Sequence, residues 1–308
     1  MGEPRIAILL PTWNGERFLR AQVDSLLAQD YPDFIIVCRD DGSRDASPAI
    51  IAEYAARLPQ RFHVVPADGR NLGASGSFGF LLEYVLAHKA ELGLASAWVM
   101  PSDQDDVWHP DKLRRSMARM QALEAEHPGL PLLVHGDLEV VDESLAPIAP
   151  SFVRYQGLQP LRNSVARLLV SNTVTGCTAL CNEALLRRAL PIPAAAVMHD
   201  WWLALVAGAF GRLSFIDEPL LRYRQHGANT IGAREYQPPA MFQDFWQRLW
   251  DDRHREVLKG LAAQAQAFRA AHAAELSPAQ RRDLALASAL GSRFLLVRKL
   301  ALRSFLAR

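Results

Sequence analysis

Two clusters of aspartates in the sequence could bind a cation. Residues 40–43 read Asp-Asp-Gly-Ser and residues 102–106 read Ser-Asp-Gln-Asp-Asp, and each cluster follows a short apolar run. Neighbouring carboxylates repel one another unless a cation balances them, so Asp103, Asp105 and Asp106 indicate a bound divalent metal. Ligand sets made only of oxygen favour Mg²⁺ or Mn²⁺ over zinc. The alternative is a solvated loop that caps the next helix.

The elements that must position these clusters follow an α/β pattern. Short apolar runs alternate with segments of helical periodicity, which is typical of parallel strands covered by helices. Ligands of such sheets gather at the carboxyl ends of the strands, where both clusters fall. The predicted strands are Arg5–Leu10, Phe34–Arg39, His63–Pro66, Ala97–Met100, one or two strands within 132–141, and a short one near Thr178–Cys181. The predicted helices are Phe18–Gln29, Pro48–Leu58, Ser77–Lys89, Asp111–His127, Leu161–Val170 and Asp200–Ala209.

The composition changes near residue 236. Beyond it glycine nearly disappears and alanine, leucine, arginine and glutamine dominate, so we predict a first domain over 1–236 and a helical extension over 237–308. Apolar stripes at helical spacing predict that the extension packs on the first domain or on a second subunit. Basic residues interleaved with the second stripe equally favour peripheral membrane contact through 280–308. The two stripes are Phe242, Phe245, Trp246, Leu249 and Trp250, then Ala287, Leu290, Phe294, Val297 and Ala301.

The overall charge excludes one class of partner. The 308 residues carry 34 Lys and Arg against 33 Asp and Glu, a net charge of +1, which argues against a protein that binds nucleic acid over its whole surface. Residues 280–308 alone hold seven basic side chains and one acidic side chain, a net +6. Cys38, Cys177 and Cys181 lack zinc-finger spacing and indicate reduced thiols in a cytosolic protein. No apolar run is long enough to span a bilayer, so we expect any membrane contact to be peripheral.

Taken together, the motifs resemble glycosyltransferase family 2, whose members have the GT-A fold. The resemblance covers about residues 5–233, and it implies a Rossmann-like α/β fold with a mostly parallel sheet flanked by helices. Residues 102–108, 199–202 and 223–227 look most like bacterial rhamnosyltransferases of cell-surface polysaccharide synthesis. In the family's order, the motifs are residues 11–15 (Pro-Thr-Trp-Asn-Gly), 40–45 (Asp-Asp-Gly-Ser-Arg-Asp), 71–73 (Asn-Leu-Gly), 103–105 (Asp-Gln-Asp) and 198–202 (Met-His-Asp-Trp-Trp).

The resemblance implies a site for a nucleotide-sugar donor, either a dTDP-sugar or a UDP-sugar. It implies that Thr12 and Asp41 hold the base and the ribose, with Asp41 accepting a hydrogen bond from the pyrimidine N3–H. From the residues alone, Asp41 could also form an Asx turn with Gly42, which is compatible with that role. The residues assigned to the donor are Pro11, Thr12, Trp13, Asn14, Asp41, Asn71, Gly73 and Asp103.

The same resemblance assigns the metal and the catalytic base. Asp103 and Asp105 form the family's DxD motif, which binds Mg²⁺ or Mn²⁺ against the diphosphate. His226 follows a further predicted strand and would contact the metal or the diphosphate, although a purely structural hydrogen bond is equally open. Asp200 falls at the family's general base, which removes a proton from the acceptor hydroxyl as its oxygen attacks the anomeric carbon. A helix cap is the alternative for Asp200.

The predicted function is an inverting, metal-dependent glycosyl transfer, with rhamnose from dTDP-rhamnose as the sugar. The acceptor is a hydroxyl of a cell-surface or lipid-linked glycan at the cytoplasmic face of the membrane. A nucleotidyltransferase is disfavoured because no basic phosphate-binding loop follows the first strand, and a non-catalytic binding module is disfavoured by the intact acidic residues. The residues assigned to the acceptor are Gly176, Cys177, Trp201 and Trp202, of which the tryptophans are sugar-stacking candidates or core residues.

Overall fold

The computed structural model describes residues 3–66, 69–227 and 252–292, and beyond these the single positions 294, 297, 300, 301 and 305. The predicted domain boundary near residue 236 and the first apolar stripe, from Phe242 to Trp250, lie outside the described residues. Both stay predictions.

A nine-stranded sheet forms the centre of the described part of the chain. Its strand order is β3-β2-β1-β4-β8-β6-β9-β5, with β7 paired to β6. The first four strands in this order are parallel, β6 and β9 are also parallel, and the remaining pairs are antiparallel. The strands are β1 (Ile6–Thr12), β2 (Phe34–Asp40), β3 (Phe62–Val64), β4 (Trp98–Pro101), β5 (Val107–Trp108), β6 (Leu132–Val141), β7 (Pro147–Ala149), β8 (Leu180–Cys181) and β9 (Arg212–Arg224).

Helices cover both faces of this sheet. One face is covered by α1, α2 and α4, and the other by α3, α7, α8 and the two C-terminal helices. The helices are α1 (Glu16–Leu27), α2 (Ser47–Arg57), α3 (Gly73–Ala87), α4 (Lys112–Glu126), α5 (Phe152–Tyr155), α6 (Val165–Leu168), α7 (Glu183–Ala189), α8 (His199–Phe210), α9 (Asp252–Ala271) and α10 (Pro278–Ala289).

Strand β1 shows why the central strands are continuous apolar runs. Ile6, Ile8 and Leu10 belong to the core on one face, and Ala7 and Leu9 belong to the core on the other face. All five residues are fully buried. Because successive side chains of a strand point to opposite faces, a strand covered on both sides must be apolar at every position.

The structure confirms the predicted α/β fold class and corrects some of its elements. The strand predicted before His226 is β9, the longest strand of the described sheet. The helix predicted over Leu161–Val170 is wrong at both ends, since only Val165–Leu168 is helical. Ser164 starts this helix by accepting the Arg167 N–H, and Leu161 is 80% exposed and contributes to no core.

The two helices of the predicted C-terminal extension, α9 and α10, share one core with the sheet and with α3, α7 and α8. Phe268 of α9 meets Trp202 of α8 edge to face, with ring centroids 5.3 Å apart. Leu284 of α10 is fully buried in the same core, and Ala301 and Phe305 beyond it are also buried. Of the second stripe, Ala287, Leu290 and Ala301 are buried in this core, whereas Phe294 and Val297 are 59% and 40% exposed, so the predicted packing holds for part of the stripe.

Candidate active site

The loops that follow β1 and β2 are held together by Asp40. Its carboxylate accepts hydrogen bonds from the Thr12 hydroxyl (3.1 Å) and from the backbone N–H groups of Gly42 (3.2 Å) and Ser43 (2.9 Å). The Asx turn considered for Asp41 is thus made by Asp40, one residue earlier. Thr12 is 1% exposed, so this turn fixes its side chain under the loop.

The end of β1 and the residues that follow it lie beside residues 102–106, here called the acidic loop. Pro11 is partly buried, whereas Trp13 is 55% exposed. Asn14 has a φ of +48°, and its side-chain oxygen accepts the Arg44 N–H at 2.9 Å. The backbone of Trp13 is hydrogen-bonded to the side chain of Gln104. The segment predicted to bind the donor therefore lies beside the predicted metal site.

Asp41 binds the N-terminal end of α3. The residue is 3% exposed, forms an ion pair with the buried Arg39, and accepts the backbone N–H groups of Leu72 and Gly73, each at 2.9 Å. Its carbonyl oxygen accepts the Asn71 side-chain amide at 3.0 Å. Asp41, Asn71 and Gly73 are thus brought together as one unit, in which the Asp41 carboxylate satisfies N–H groups that a helix start leaves unpaired.

The second aspartate cluster is crowded and largely shielded from water. Ligand atoms of Asp103, Asp106 and Cys177 all lie within 4.8 Å of one another. Burial and the charge of Asp105 raise the pKa of Asp103 to about 7, and burial with the charge of Asp103 raises the pKa of Asp106. Asp106 is fully buried, and its Oδ2 has no hydrogen-bond partner. This excess of acidic groups fits a site that a divalent cation would neutralise.

Asp105 and His226 lie in contact beside this cluster. The His226 Nε2 is 2.9 Å from the Asp105 Oδ2, and the ring of His226 lies 4.9 Å from that of Phe18. The Arg224 guanidinium donates to the Asp105 carbonyl at 2.9 Å, and the Arg224 N–H donates to Asp106. The C-terminal end of β9 thus closes over the acidic loop. Among the described residues, the structure groups Asp103 with Asp106 and Cys177 as possible ligands, so the assignment of Asp105 and His226 to the metal stays a prediction.

Lys112 is a buried cation that the sequence did not single out. It is fully buried at the start of α4, its Nζ donates to the Cys177 carbonyl at 2.5 Å, and it lies 3.1 Å from the centre of the Trp108 ring. Burial lowers the pKa of Lys112 to about 7. Burial also raises the pKa of the Cys177 thiol. A sulfur ligand is soft and does not suit Mg²⁺ or Mn²⁺, which prefer oxygen.

Asp200 occupies the first turn of α8. Its two carboxylate oxygens accept the backbone N–H groups of Gly176 (2.9 Å) and Trp201 (2.6 Å). Burial raises the pKa of Asp200 to about 6. The charge of Asp200 also acts on Asp103, which places the two carboxylates in one electrostatic site. A carboxylate with this pKa, fixed by two N–H donors, can accept a proton near neutral pH.

His199 precedes Asp200 and is buried against Phe78. The two rings stack with centroids 4.1 Å apart, and neither ring nitrogen of His199 has a hydrogen-bond partner. Burial lowers the pKa of His199 to about 3, so the ring is neutral at pH 7. A Cβ at Gly176 would lie 2.9 Å from the His199 Nε2, so glycine is required there by close approach.

The structure corrects the acceptor assignment of Trp202. The side chain is 1% exposed, its indole N–H donates to the Ala189 carbonyl at 2.8 Å, and its ring packs on Phe268. A sugar cannot stack on a ring whose faces are covered by core residues. Cys177 is also 1% exposed and faces the acidic cluster, so its side chain cannot line an acceptor surface either.

The two other residues assigned to the acceptor stay predictions. Gly176 contacts Asp200 through its backbone N–H and so borders the site. Trp201 is partly buried, and its indole N–H donates to the Leu168 carbonyl. This bond fixes the ring of Trp201 on the side of α8 that faces α6.

Among the helices of the described residues, none has both the length and the apolar character that crossing a bilayer demands.

Comparison with known proteins decides the family. The family model described as glycosyl transferase family 2 matches residues 7–186, which is more than half of the chain. The chain belongs to glycosyltransferase family 2. This glycosyltransferase is 26% identical over 247 residues to an uncharacterized glycosyltransferase of Rickettsia prowazekii, with 79% of this chain and 70% of the relative covered. It is 23% identical over 260 residues to the dTDP-rhamnosyl transferase RfbG of Shigella flexneri, with 78% and 81% covered.

Solved structures share the fold of this glycosyltransferase. TarS of S. aureus, crystallised in complex with UDP-GlcNAc, matches with a TM-score of 0.57 at 19% identity. The match covers 93% of this chain and 72% of the TarS chain. The mannosyltransferase PcManGT of Pyrobaculum calidifontis, in complex with GDP-Man and Mn²⁺, matches with a TM-score of 0.52 at 18% identity. The match covers 99% of this chain and 85% of the PcManGT chain. These likenesses confirm the GT-A fold that the resemblance implied.

Proposed function

We propose that this glycosyltransferase moves a sugar from a nucleotide-sugar donor to a hydroxyl of a glycan acceptor, with inversion at the anomeric carbon. The observation that carries the proposal is the carboxylate of Asp200, which has a pKa of about 6 and shares its electrostatic surroundings with Asp103. A base whose pKa lies just below neutral pH is ionised at pH 7 and retains a useful affinity for a proton.

Asp200 acts as the general base in this proposal. It accepts the proton of the acceptor hydroxyl while the hydroxyl oxygen forms a bond to the anomeric carbon. The bond from that carbon to the diphosphate breaks in the same step, and its electron pair leaves with the nucleoside diphosphate. The Gly176 and Trp201 N–H groups orient the carboxylate and leave a lone pair on each oxygen for the acceptor.

Asp103, Asp105 and His226 hold Mg²⁺ or Mn²⁺ in this proposal. When bound, the ion supplies positive charge against the diphosphate as it departs. Arg224 holds the Asp105 carbonyl and His226 contacts the Asp105 carboxylate, so this chain fixes the orientation of the Asp105 side chain. Mn²⁺ in the mannosyltransferase PcManGT, which shares the fold, supports a divalent cation here.

The proposed donor is dTDP-rhamnose. The similarity to a dTDP-rhamnosyl transferase supports this sugar, and the UDP-GlcNAc and GDP-Man complexes of the two structural neighbours support a nucleotide-sugar in general. Trp13 offers an exposed aromatic ring to the base, and Pro11, Thr12 and Asn14 shape the loop beneath it. Asp41, Asn71 and Gly73 form the adjoining wall.

The proposed acceptor is a lipid-linked or cell-surface glycan, met at the cytoplasmic face of the membrane. A lipid-linked acceptor lies at the membrane surface, so an enzyme that binds that surface meets the acceptor more often. The C-terminal segment 280–308, with its net charge of +6, is the proposed peripheral contact with that surface.

The Asp200→Asn variant tests the base. Transfer should fall roughly 10²- to 10⁴-fold, which is the usual contribution of a general base, while the dissociation constant for the donor stays close to that of the wild type. Asp217→Asn is a matched control, because the Asp217 side chain is 69% exposed in a surface ion pair. Full transfer by Asp200→Asn would refute the assignment of the base.

The products of slow donor turnover test the function itself. The wild type is incubated with dTDP-rhamnose and Mn²⁺ without acceptor, and the products are separated. Free rhamnose with dTDP is expected from a glycosyltransferase. Release of pyrophosphate would instead indicate a nucleotidyltransferase, and an intact donor that nevertheless binds would indicate a non-catalytic module. EDTA should abolish turnover if the metal assists departure of the diphosphate.

A further inference from the structure

Gln104 bridges two loops that are far apart in the chain. Its Oε1 accepts the Trp13 N–H at 2.8 Å, and its Nε2 donates to the Trp13 carbonyl at 3.0 Å. The side-chain amide therefore pairs with both polar groups of one backbone residue, as a neighbouring strand would. Trp13 belongs to the loop after β1, and Gln104 belongs to the acidic loop after β4.

This amide continues the pairing of β1 with β4 beyond its last backbone bond. The register of the two strands ends with Leu9 opposite Pro101, and the Ser102 N–H then donates to the Leu9 carbonyl at 2.8 Å. Beyond this bond, no backbone hydrogen bond joins the two segments in the described part of the chain. The Gln104 side chain connects the two segments again at Trp13, four residues after Leu9.

Gly15 leaves the space that the amide occupies. A Cβ built on Gly15 would lie 2.3 Å from the Gln104 Oε1 and 2.7 Å from its Cδ. The φ of Gly15 is −103°, which any residue can adopt. An alanine at position 15 would therefore displace the end of the Gln104 side chain, although the backbone conformation there would tolerate it.

We propose that Gln104 is a positioning residue that couples nucleotide binding to metal binding. The inference rests on the proposed function, in which Trp13 contacts the nucleotide and Asp103 and Asp105 hold the cation. Gln104 lies between these two aspartates, so its bonds to Trp13 fix the loop that carries both. A nucleotide that orders the Trp13 loop thus favours the cation-binding arrangement of the aspartates, and the cation reciprocally favours the nucleotide.

The test measures this coupling directly. Mn²⁺ is titrated calorimetrically into the full chain with and without dTDP, and the ratio of the two Mn²⁺ dissociation constants is the coupling factor. Gln104→Ala removes two hydrogen bonds and should lower that factor roughly tenfold. Gln104→Met keeps the bulk of the side chain without the amide and should behave like Gln104→Ala, since the hydrogen bonds carry the effect.

A double-mutant cycle separates positioning from damage to the fold. Gly15→Ala displaces the amide from the other side and should lower the coupling factor to a similar degree. In the Gln104→Ala background, Gly15→Ala should have no further effect, because the atoms it would meet are gone. Wild-type coupling in Gln104→Ala, or losses that simply add in the double variant, would overturn the role of Gln104 alone. A wild type that binds neither dTDP nor Mn²⁺ would overturn the proposed function as well.

Discussion

Burial moves acids and bases of the site toward the same pH range. Burial raises the pKa of Asp103 to about 7 and that of Asp200 to about 6, and it lowers the pKa of Lys112 to about 7. Groups that would ordinarily titrate far apart therefore change charge close to neutral pH. The activity of such a site depends on pH through several residues. The contribution of the general base can be separated only when kcat is measured at saturating donor and metal.

The acid side of the pH–rate profile should report Asp200. Its pKa is raised, so the carboxylate is protonated and inactive as a base below about pH 6 and ionised above it. At saturating dTDP-rhamnose, Mn²⁺ and acceptor, kcat should fall roughly tenfold per pH unit below this value. A kcat that is constant between pH 8 and pH 5 would show that another group takes the proton.

Residues with distant partners mark the limit of prediction at this scale. The roles of Asp103, Asp105 and Asp200 follow from motifs that resemble the family, and they stay predictions. Gln104 and Lys112 could not be singled out, because Gln104 bonds to Trp13, 91 residues away, and Lys112 bonds to Cys177, 65 residues away. Nothing in the local sequence of either residue indicates such a partner. The burial of Trp202 could not be predicted for the same reason, since Phe268 of the distant helix α9 covers its ring.

At the scale of elements, a buried ion pair ties β2 to α3. Arg39, at the end of β2, is 1% exposed and donates to Asp41, to the Ser77 hydroxyl at 3.1 Å and to the Arg70 carbonyl at 2.9 Å. Asp41 in turn binds the first N–H groups of α3. The start of α3 therefore depends on two charges that are each shielded from water.

Breaking this pair on one side should be costly. Arg39→Met leaves the Asp41 charge buried without its partner, and we expect the free energy of unfolding to fall by about 3–5 kcal/mol. Arg20→Met is the control, because Arg20 and Glu53 form a half-exposed surface pair, and its loss should change the free energy of unfolding far less. Denaturant unfolding measures both, and equal losses in the two variants would contradict the structural role of the Arg39–Asp41 pair.

The elements themselves were predictable where one physical signal dominated. The continuous apolar run of β1 reproduces the strand to within two residues, because burial on both faces leaves no other pattern. The helix expected over Leu161–Val170 failed because its apolar residues match helical spacing while Leu161 faces solvent. Strand β9 contains Pro219 and several charged residues, so its length follows from pairing with β6 and β5 rather than from its own sequence.

At the scale of the whole molecule, the C-terminal segment has two faces. Ala301 and Phe305 are buried, whereas Phe294, Val297 and Leu300 are 59%, 40% and 58% exposed. The basic residues that the sequence places among them, Arg293, Arg298, Lys299, Arg303 and Arg308, lie outside the described residues. The exposed apolar side chains suit the proposed contact with a membrane surface.

Full-length enzyme should sediment with vesicles that contain an anionic phospholipid. The triple variant Phe294→Ser, Val297→Ser and Leu300→Ser should bind roughly tenfold or more weakly, since three exposed apolar side chains are lost. Ile148→Ser is the matched control, because Ile148 is 49% exposed and lies on β7, which pairs with β6. Undiminished sedimentation of the triple variant would remove the membrane contact from the proposal.

The chain contains 4 lysines among its 34 basic residues. The side chains of Lys89 and Lys259 are 25% and 49% exposed, whereas Lys112 lies fully buried over the Trp108 ring beneath the acidic cluster. An acylating reagent in solution can reach Lys112 only when that part of the molecule opens. The rate at which the peptide that contains Lys112 gains the mass of the acyl group would therefore measure how often the core of the site opens. The acylation rates of the more exposed Lys89 and Lys259 would serve as the internal standard.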